Sequence, residues 1–247
     1  MSDQRVSNPY LTPNAPSGTA PSPSALGVKP DARLAQAFLT QAFLWMFVGL
    51  LISAGVAFFV QSNERLLGFA LDNYLALIIA QFVLVMVISW GINRISATVA
   101  LGLFFVYAAS LGLTIGLIVS GFTGASVATA FLSAAAMFGA AAIYGSVTKR
   151  SLAGLGGILF MGIIGILVAS LINVFLAGGG LSWIISIVGV VVFTALTAYY
   201  VQRIQNGELA AQTGSMEKGA VIGALLLYLS FVNLFLFMLR LFGGGRD

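Results

Sequence analysis

Long apolar stretches alternate with short polar breaks along this chain, from about residue 34 to residue 242. Each stretch is long enough, at 1.5 Å per residue, to cross about 30 Å of hydrocarbon as a helix. Helices are expected because lipid cannot satisfy an open backbone. The pattern predicts an all-α membrane protein with seven transmembrane helices, numbered here as segments one to seven. They cover residues 34–60, 74–92, 97–119, 125–146, 152–176, 181–202 and 219–242.

The first 32 residues have a different pattern, rich in Pro, Ser and Thr and poor in apolar side chains. Such a segment cannot bury enough surface to repay the cost of ordering it, so we expect a disordered tail. It also lacks the basic start and apolar core of a secretory signal peptide. The predicted organisation is therefore a tail at 1–32, a seven-helix transmembrane domain at 33–243 and a short terminus at 244–247.

Basic residues are distributed unevenly over the predicted loops. If the tail is cytoplasmic, eight of the eleven cations face the cytoplasm: Arg5, Lys29, Arg33, Arg94, Lys149, Arg150, Arg203 and Lys218. Arg65 and Arg246 then face outward, and Arg240 lies near the outer end of segment seven. The positive-inside rule therefore predicts a multi-pass protein of the cell membrane with its N-terminus in the cytoplasm and its C-terminus outside.

The amino-acid composition is typical of a membrane protein. Of 247 residues, 60% are hydrophobic and 7% are charged, whereas soluble domains are about 45–50% apolar and about 25% charged. This balance excludes a soluble enzyme, a nucleic-acid-binding domain and a disordered scaffold. The net charge of +4 reflects topology, and no nucleic-acid partner is expected.

The kinds of side chain that do chemistry are scarce. The chain has no Cys and no His, and every Asp and Glu falls in the tail, a loop or the terminus of the predicted topology. An intramembrane metalloprotease, a His-dependent serine protease, an aspartyl protease and a carrier with a carboxylate or His relay each lack an essential group. We therefore expect no catalytic activity, no cofactor and no bound metal.

Neutral polar residues remain inside the predicted spans. Their spacing of three places them on common helix faces: Thr194, Thr197 and Tyr200 in segment six, and Ser230 and Asn233 in segment seven. One interpretation is that they link helices by hydrogen bonds of about 1 kcal/mol each. The other is that they line a hydrated path. Arg240, close to a helix end, can extend its charge to the interface.

Small residues predict where helices approach closely. Segment four is rich in Ala and Gly, and segment three carries Gly112 and Gly116 on one face. Because small residues let membrane helices pack closely, we expect segments three and four to be central and tightly packed within one protomer. A dimer face is the alternative.

Five runs of sequence, in order, resemble the Bax inhibitor-1 family. The run at 223–243 is similar to the closing signature of that family, and the run at 193–204 resembles its sixth helix. The other three runs are 38–51, 144–152 and 170–175. The resemblance implies seven helices with the last one surrounded by the other six. It also implies a pH-sensitive calcium leak, suppression of cell death in animals or, in a bacterial relative, restraint of a membrane-bound ATP-dependent protease.

The chain departs from the family at its acidic positions. In calcium-leaking members the resemblance implies a pH-sensing pair of acids, one on helix six and one on helix seven; here Tyr200 and Ser230 take their places. A third acid, common after the Thr-Lys-Arg turn, is replaced by Ser151. Neither Tyr nor Ser titrates between about pH 5 and 8. We therefore expect one pH-indifferent arrangement of helices six and seven, with Tyr200 hydrogen-bonded to Ser230 or Asn233.

Two functions follow as hypotheses. The first is a leak for calcium or another cation in transit through the lipid bilayer, without acidic gating, lined by Thr194, Thr197, Tyr200, Ser230 and Asn233. The second is a non-transporting regulator or inhibitor of a membrane-bound protease or another membrane partner, which the tail would engage.

Overall fold

A computed structural model describes residues 32–176 and 179–243. Within them the chain forms nine α-helices, a short 3-10 helix at Ala153–Leu155 and no strand. The α-helices are α1 (Ala32–Ser62), α2 (Glu64–Asp72), α3 (Tyr74–Gly91), α4 (Ala97–Val119), α5 (Gly124–Val147), α6 (Gly156–Leu176), α7 (Gly179–Gln205), α8 (Glu208–Thr213) and α9 (Met216–Phe242). The predicted tail and the last four residues, 244–247, lie outside the described residues, apart from Ala32 at the start of α1.

Seven of these helices are long and apolar enough to cross a membrane: α1, α3, α4, α5, α6, α7 and α9. They correspond to segments one to seven, so the predicted all-α fold with seven transmembrane helices is confirmed. The two short helices were not predicted. Asn63 caps α2 by accepting hydrogen bonds from the backbone of Arg65 and Leu66, and α8 lies between Gly207 and Gly214, both with positive φ.

The last helix is the centre of the bundle. In α9, 72% of the residues in its most apolar stretch are buried, against 44% or less in each of the other six spans. Helices α1, α4, α5 and α7 pack directly on α9. Helix α3 packs mainly on α4, and α6 mainly on α7. The predicted central position of the last helix is confirmed, with α3 and α6 in an outer position.

The two glycines of α4 mark the close approach of this helix to α1. Gly112 lies against the backbone of Ser53, and Gly116 lies against Ala57 and Val60, all three in α1. Helices α4 and α5 do not form an extensive contact; α5 packs on α7 and α9 instead. The small residues of α4 therefore pack closely within one protomer, as expected, and their partner is α1 rather than α5.

The two ends of the bundle differ in what they carry. We call the end with the α3–α4 loop, the α5–α6 loop and α8 the proximal end. The opposite end, where α1 and α4 end and α5 begins, is the distal end. Described charges are concentrated near these ends, and no described Asp, Glu, Lys or Arg is buried.

Candidate functional site

Helices α7 and α9 run antiparallel and bring the predicted polar residues to the same depth. Gly189 packs against the ring of Phe237, and Gly223 packs against Ile204. These two contacts fix the register, which places Thr197 level with Ser230, and Thr194 level with Asn233. The structure therefore gathers four of the predicted residues at one interface.

Their hydrogen bonds stay within each helix. Thr197 Oγ1 donates to the carbonyl of Phe193 at 2.8 Å, and Ser230 Oγ donates to that of Leu226 at 3.0 Å. Asn233 Nδ2 donates to the Leu229 carbonyl at 2.8 Å. Each acceptor lies one turn earlier in the same helix. The prediction that these residues link helices by hydrogen bonds is therefore wrong for α7 and α9 within the described residues.

Two predicted residues of α7, Thr194 and Tyr200, have no such bond. The hydroxyl of Thr194 is buried and has no partner among the described residues. The ring of the half-buried Tyr200 lies 5.4 Å from that of Tyr199, and its expected hydrogen bond to Ser230 or Asn233 is not formed. The register explains why this hydrogen bond is absent, because Tyr200 lies level with Leu227 rather than with Ser230 or Asn233. The Ser230 proton is also already donated to the Leu226 carbonyl.

Arg240 lies at the distal end of the bundle, in the last turn of α9. Its side chain is exposed, and its guanidinium lies 6.0 Å above the ring centre of Phe237. A cation over an aromatic face at a helix end is typical of a boundary between lipid and water.

Asn173 of α6 is a further polar residue inside a span, and its buried Oδ1 has no hydrogen-bond partner among the described residues.

The side chains that do link helices were missed in the sequence. Ser53 of α1 lies in the core, with Oγ 2.7 Å from the carbonyl of Ala108 in α4 and 2.6 Å from the hydroxyl of Tyr228 in α9. A carbonyl can only accept, so Ser53 donates to a carbonyl and accepts from Tyr228. The rings of Phe104 and Tyr107 meet Tyr228 edge-on at 5.4 and 6.0 Å. This central hydroxyl cluster joins α1, α4 and α9.

Two glutamines also bridge elements. Gln81 of α3 donates to the carbonyl of Ser110 at 3.0 Å and to Thr114 Oγ1 at 2.7 Å. Gln202 of α7 accepts from the backbone N–H of Leu152 at 2.7 Å and donates to the carbonyl of Arg150 at 2.8 Å. A lone amide in an apolar span was the sequence signal for Gln81. A buried amide in lipid needs a partner.

A large cavity lies beside α9 in the distal half of the bundle. Its volume is about 620 Å³, and α1, α4, α5 and α9 line it. The walls are mainly apolar, and Ser53 and Gln61 are the residues with polar side chains among them. Ser53 and Tyr228 meet beside this cavity, on the face of α9 that points away from α7.

Comparison with known proteins places this geometry in a family. The family profile described as "Inhibitor of apoptosis-promoting Bax1" matches residues 35–247. The chain belongs to the Bax inhibitor-1 family. It is 44% identical over 225 residues to "Inner membrane protein YbhL" of Escherichia coli strain K12, which covers 89% of this chain and 96% of the relative.

Other relatives extend across distant bacteria. An uncharacterized protein of Borreliella burgdorferi is 39% identical over 224 residues, covering 89% of this chain and 97% of the relative. One of Deinococcus radiodurans is 39% identical over 211 residues, covering 85% and 91%. The match spans the whole described bundle, so the chain is a multi-pass membrane protein of the Bax inhibitor-1 family.

The described acidic residues of this Bax inhibitor-1 protein lie away from the mid-depth part of α7 and α9. Glu64, Asp72 and Glu217 are exposed. Glu208 pairs with Arg203 at 2.9 Å beside α8, at the proximal end. Ser151 is exposed in the α5–α6 loop, where its Oγ accepts from the backbone of Ala153. No described carboxylate therefore lies near Tyr200 or Ser230 inside the bundle.

Proposed function

We propose that this protein is a passive leak for calcium or another cation, of the Bax inhibitor-1 type but without titratable gating. The observation that supports the proposal is the set of neutral polar residues that α7 and α9 bring to one depth in a described bundle without buried charges. The family resemblance implies that Tyr200 and Ser230 stand where calcium-leaking members carry their acidic pair. Without carboxylates or His, the interior has nothing that changes charge between about pH 5 and 8.

The path follows the interface between α7 and α9. The hydroxyl protons of Thr197 and Ser230 are donated to carbonyls of their own helices, so their oxygen lone pairs remain to face a passing cation. The unpartnered hydroxyl of Thr194 adds another oxygen at the level of Asn233. Calcium prefers oxygen ligands but binds neutral ones weakly, and weak binding suits a leak because the ion has to leave again.

The orientation belongs to the same proposal. Lys149, Arg150, Arg203 and Lys218 all lie at the proximal end of the bundle. The positive-inside rule therefore puts the proximal end, with the N-terminus, in the cytoplasm and the distal end outside.

Calcium flux into proteoliposomes tests the proposal. Flux through the unmodified protein is expected to exceed that of empty liposomes and to stay flat from pH 5 to 8. The double variant Tyr200→Asp with Ser230→Asp places two carboxylates in the interior, where proximity and burial shift their titration towards neutrality. Its flux is therefore expected to depend on pH.

The control for the double variant is Ser151→Asp. This substitution also restores an acid of the family pattern, but in an exposed loop, so its flux should stay flat. A sharp change of flux with pH in the unmodified protein would contradict the proposal that the leak has no titratable gating. Flux no higher than in empty liposomes would reject the leak.

The same uncharged interior also favours a second candidate, because it offers a cation no charged ligand. In this alternative the protein is a non-transporting regulator of a membrane-bound protease or another membrane partner. Absence of flux, together with stable co-purification with such a partner, would support the regulator over the leak.

A further inference from the structure

We propose that the cavity in the distal half of the bundle is a binding site for one acyl chain of a membrane phospholipid. The site lies on the opposite face of α9 from the proposed leak, and the inference does not depend on that function. Phe231, Val232 and Phe235 of α9 form its back wall. We call it the distal cavity.

The distal cavity is open on the side that faces the bilayer. Helices α1 and α5 both pack on α9 but have no extensive contact with each other; the rings of Phe43 and Phe138 bring them together at 6.3 Å, outside the lining of the cavity. Phe58 of α1 and Phe131 of α5 stand on the two sides of this opening with 68% and 49% of their surfaces exposed. Because α1 and α5 both span the membrane, the opening is continuous with the surface that lipid already covers.

The length of the distal cavity matches one leaflet. Its lining on α1 extends from Leu50 to Gln61, which is about 16 Å at 1.5 Å per residue. Half of a hydrocarbon core of about 30 Å is about 15 Å. Gln61 and Gly124 lie at the distal end of α1 and the start of α5. A chain that enters there reaches Ser53 near mid-depth and leaves its headgroup at the interface.

The chemistry of the walls selects an apolar occupant. No charged side chain lines the cavity. The Ser53 hydroxyl is committed to Ala108 and Tyr228, and Gln61 Nε2 donates to the carbonyl of Ala57 at 3.3 Å. A buried water needs two to four polar partners, so these mainly apolar walls favour an acyl chain over a column of water or a hydrated ion.

The volume favours a chain over a helix from a second copy. A helix about 16 Å long and about 10 Å across occupies about 1,200 Å³. The cavity offers about 620 Å³, so a helix does not fit, whereas a slender acyl chain does. Cavities of about 300–1,000 Å³ are usual for small apolar ligands.

Photo-crosslinking tests this site. The full chain is reconstituted into phosphatidylcholine nanodiscs in which a fraction of the lipid carries a diazirine at the end of one acyl chain. After illumination, peptide mass spectrometry locates the labelled residues. We expect label on Ile115 and Val232, which line the cavity and are at most 9% exposed, so that lipid outside the cavity cannot reach them.

Two alanines of α5 give a matched pair of variants. Ala128 lines the cavity, whereas Ala136, two turns further along the helix, is exposed and lies outside the lining. Ala128→Phe fills the cavity and should abolish label on Ile115 and Val232, while Ala136→Phe should leave it unchanged. Ala54→Phe fills the cavity from α1 and should give the same loss, so a folding defect in one variant does not decide the result.

Three results would overturn the proposal. The first is the absence of label on Ile115 and Val232 in the unmodified protein. The second is equal label in Ala128→Phe, Ala54→Phe and Ala136→Phe when all three elute as single species. The third is a change of oligomer mass on Ala128→Phe in a protein that shows no label, which would assign the cavity to contact with a second copy.

Discussion

The two faces of α9 use polar residues in opposite ways. On the face towards α1 and α4, the hydroxyl of Tyr228 bonds to Ser53, which in turn bonds to the backbone of α4. On the face towards α7, Ser230 and Asn233 bond to carbonyls of α9 itself, and no hydrogen bond between described residues joins α7 to α9. A polar side chain at a helix interface is therefore not by itself a link between helices.

Backbone spacing strengthens the contrast. Gly112 and Gly116 bring α4 so close to α1 that the carbonyl of Ala108 comes within 2.7 Å of Ser53 Oγ. On the other face, the bulky ring of Phe237 fills the space beside Gly189 of α7. The first interface is fixed by hydrogen bonds and close backbone contact, and the second is held by side-chain packing alone. The second interface is therefore the one that can change its spacing without breaking a hydrogen bond between helices.

The largest effect is expected where α1 and α4 are closest. A Cβ at Gly112 would lie 2.8 Å from both the Ser53 carbonyl oxygen and Val56 Cβ, so Gly112→Ala forces the helices apart and should cost about 1–3 kcal/mol. Gly102 is the control in the same helix, because nothing lies within 4 Å of its added Cβ. Gly102→Ala should stabilise by up to about 1 kcal/mol through helix propensity.

The free energy of unfolding in detergent micelles distinguishes the two glycine variants. Equal effects at Gly112 and Gly102 would mean that the α1–α4 contact is not as close as described. An additional Val56→Ala change should recover little of the loss, because alanine keeps the Cβ that lies 2.8 Å from the added atom and the Ser53 carbonyl oxygen stays in place.

A pair of buried serines tests the contrast between the faces directly. Ser53 and Ser230 are both buried, and the hydroxyl of each lies about 3.0 Å from the carbonyl four residues earlier. Only Ser53 also forms hydrogen bonds to two other helices, α4 and α9. Ser53→Ala leaves the Tyr228 hydroxyl unpartnered and should cost about 1–2 kcal/mol, whereas Ser230→Ala should change stability by less than about 0.5 kcal/mol.

Thermal unfolding of the two serine variants under identical micelle conditions is the measurement. The double variant Ser53→Ala with Tyr228→Phe should recover part of the loss, because it removes the orphaned hydroxyl as well. A larger loss of stability in Ser230→Ala than in Ser53→Ala would contradict this contrast. It would mean that hydrogen bonding matters more on the face of α9 towards α7 than on the face towards α1 and α4.

The apolar pattern was sufficient for the number of spans and the family resemblance for the central last helix, but neither predicted which residues face each other. Seven apolar segments of the right length define seven helices whatever their rotation. Helices in lipid are apolar on all sides, so no amphipathic stripe indicates which face meets a neighbour. That is why the helix that Gly112 faces was not predicted and why Ser53 and Tyr228 were not singled out. The spacing of Thr194 and Thr197 in α7, and of Ser230 and Asn233 in α9, did predict a common face within each helix, whereas the register between the two helices is set by their packing.

The smallest effect is expected at the proximal end, where Gln202 holds the α5–α6 loop. Its amide bonds to the backbone of both Arg150 and Leu152, so Gln202→Leu frees a loop that contains the trypsin sites Lys149 and Arg150. A loss of about 1 kcal/mol would raise the population of the open loop about fivefold, and cleavage after Arg150 in the purified protein should accelerate to match. Gln205→Leu is the control, because the Gln205 side chain has no hydrogen bond with any described residue. Equal cleavage rates in the two variants would show that the loop is held by packing, as α7 is on α9, rather than by the hydrogen bonds of Gln202.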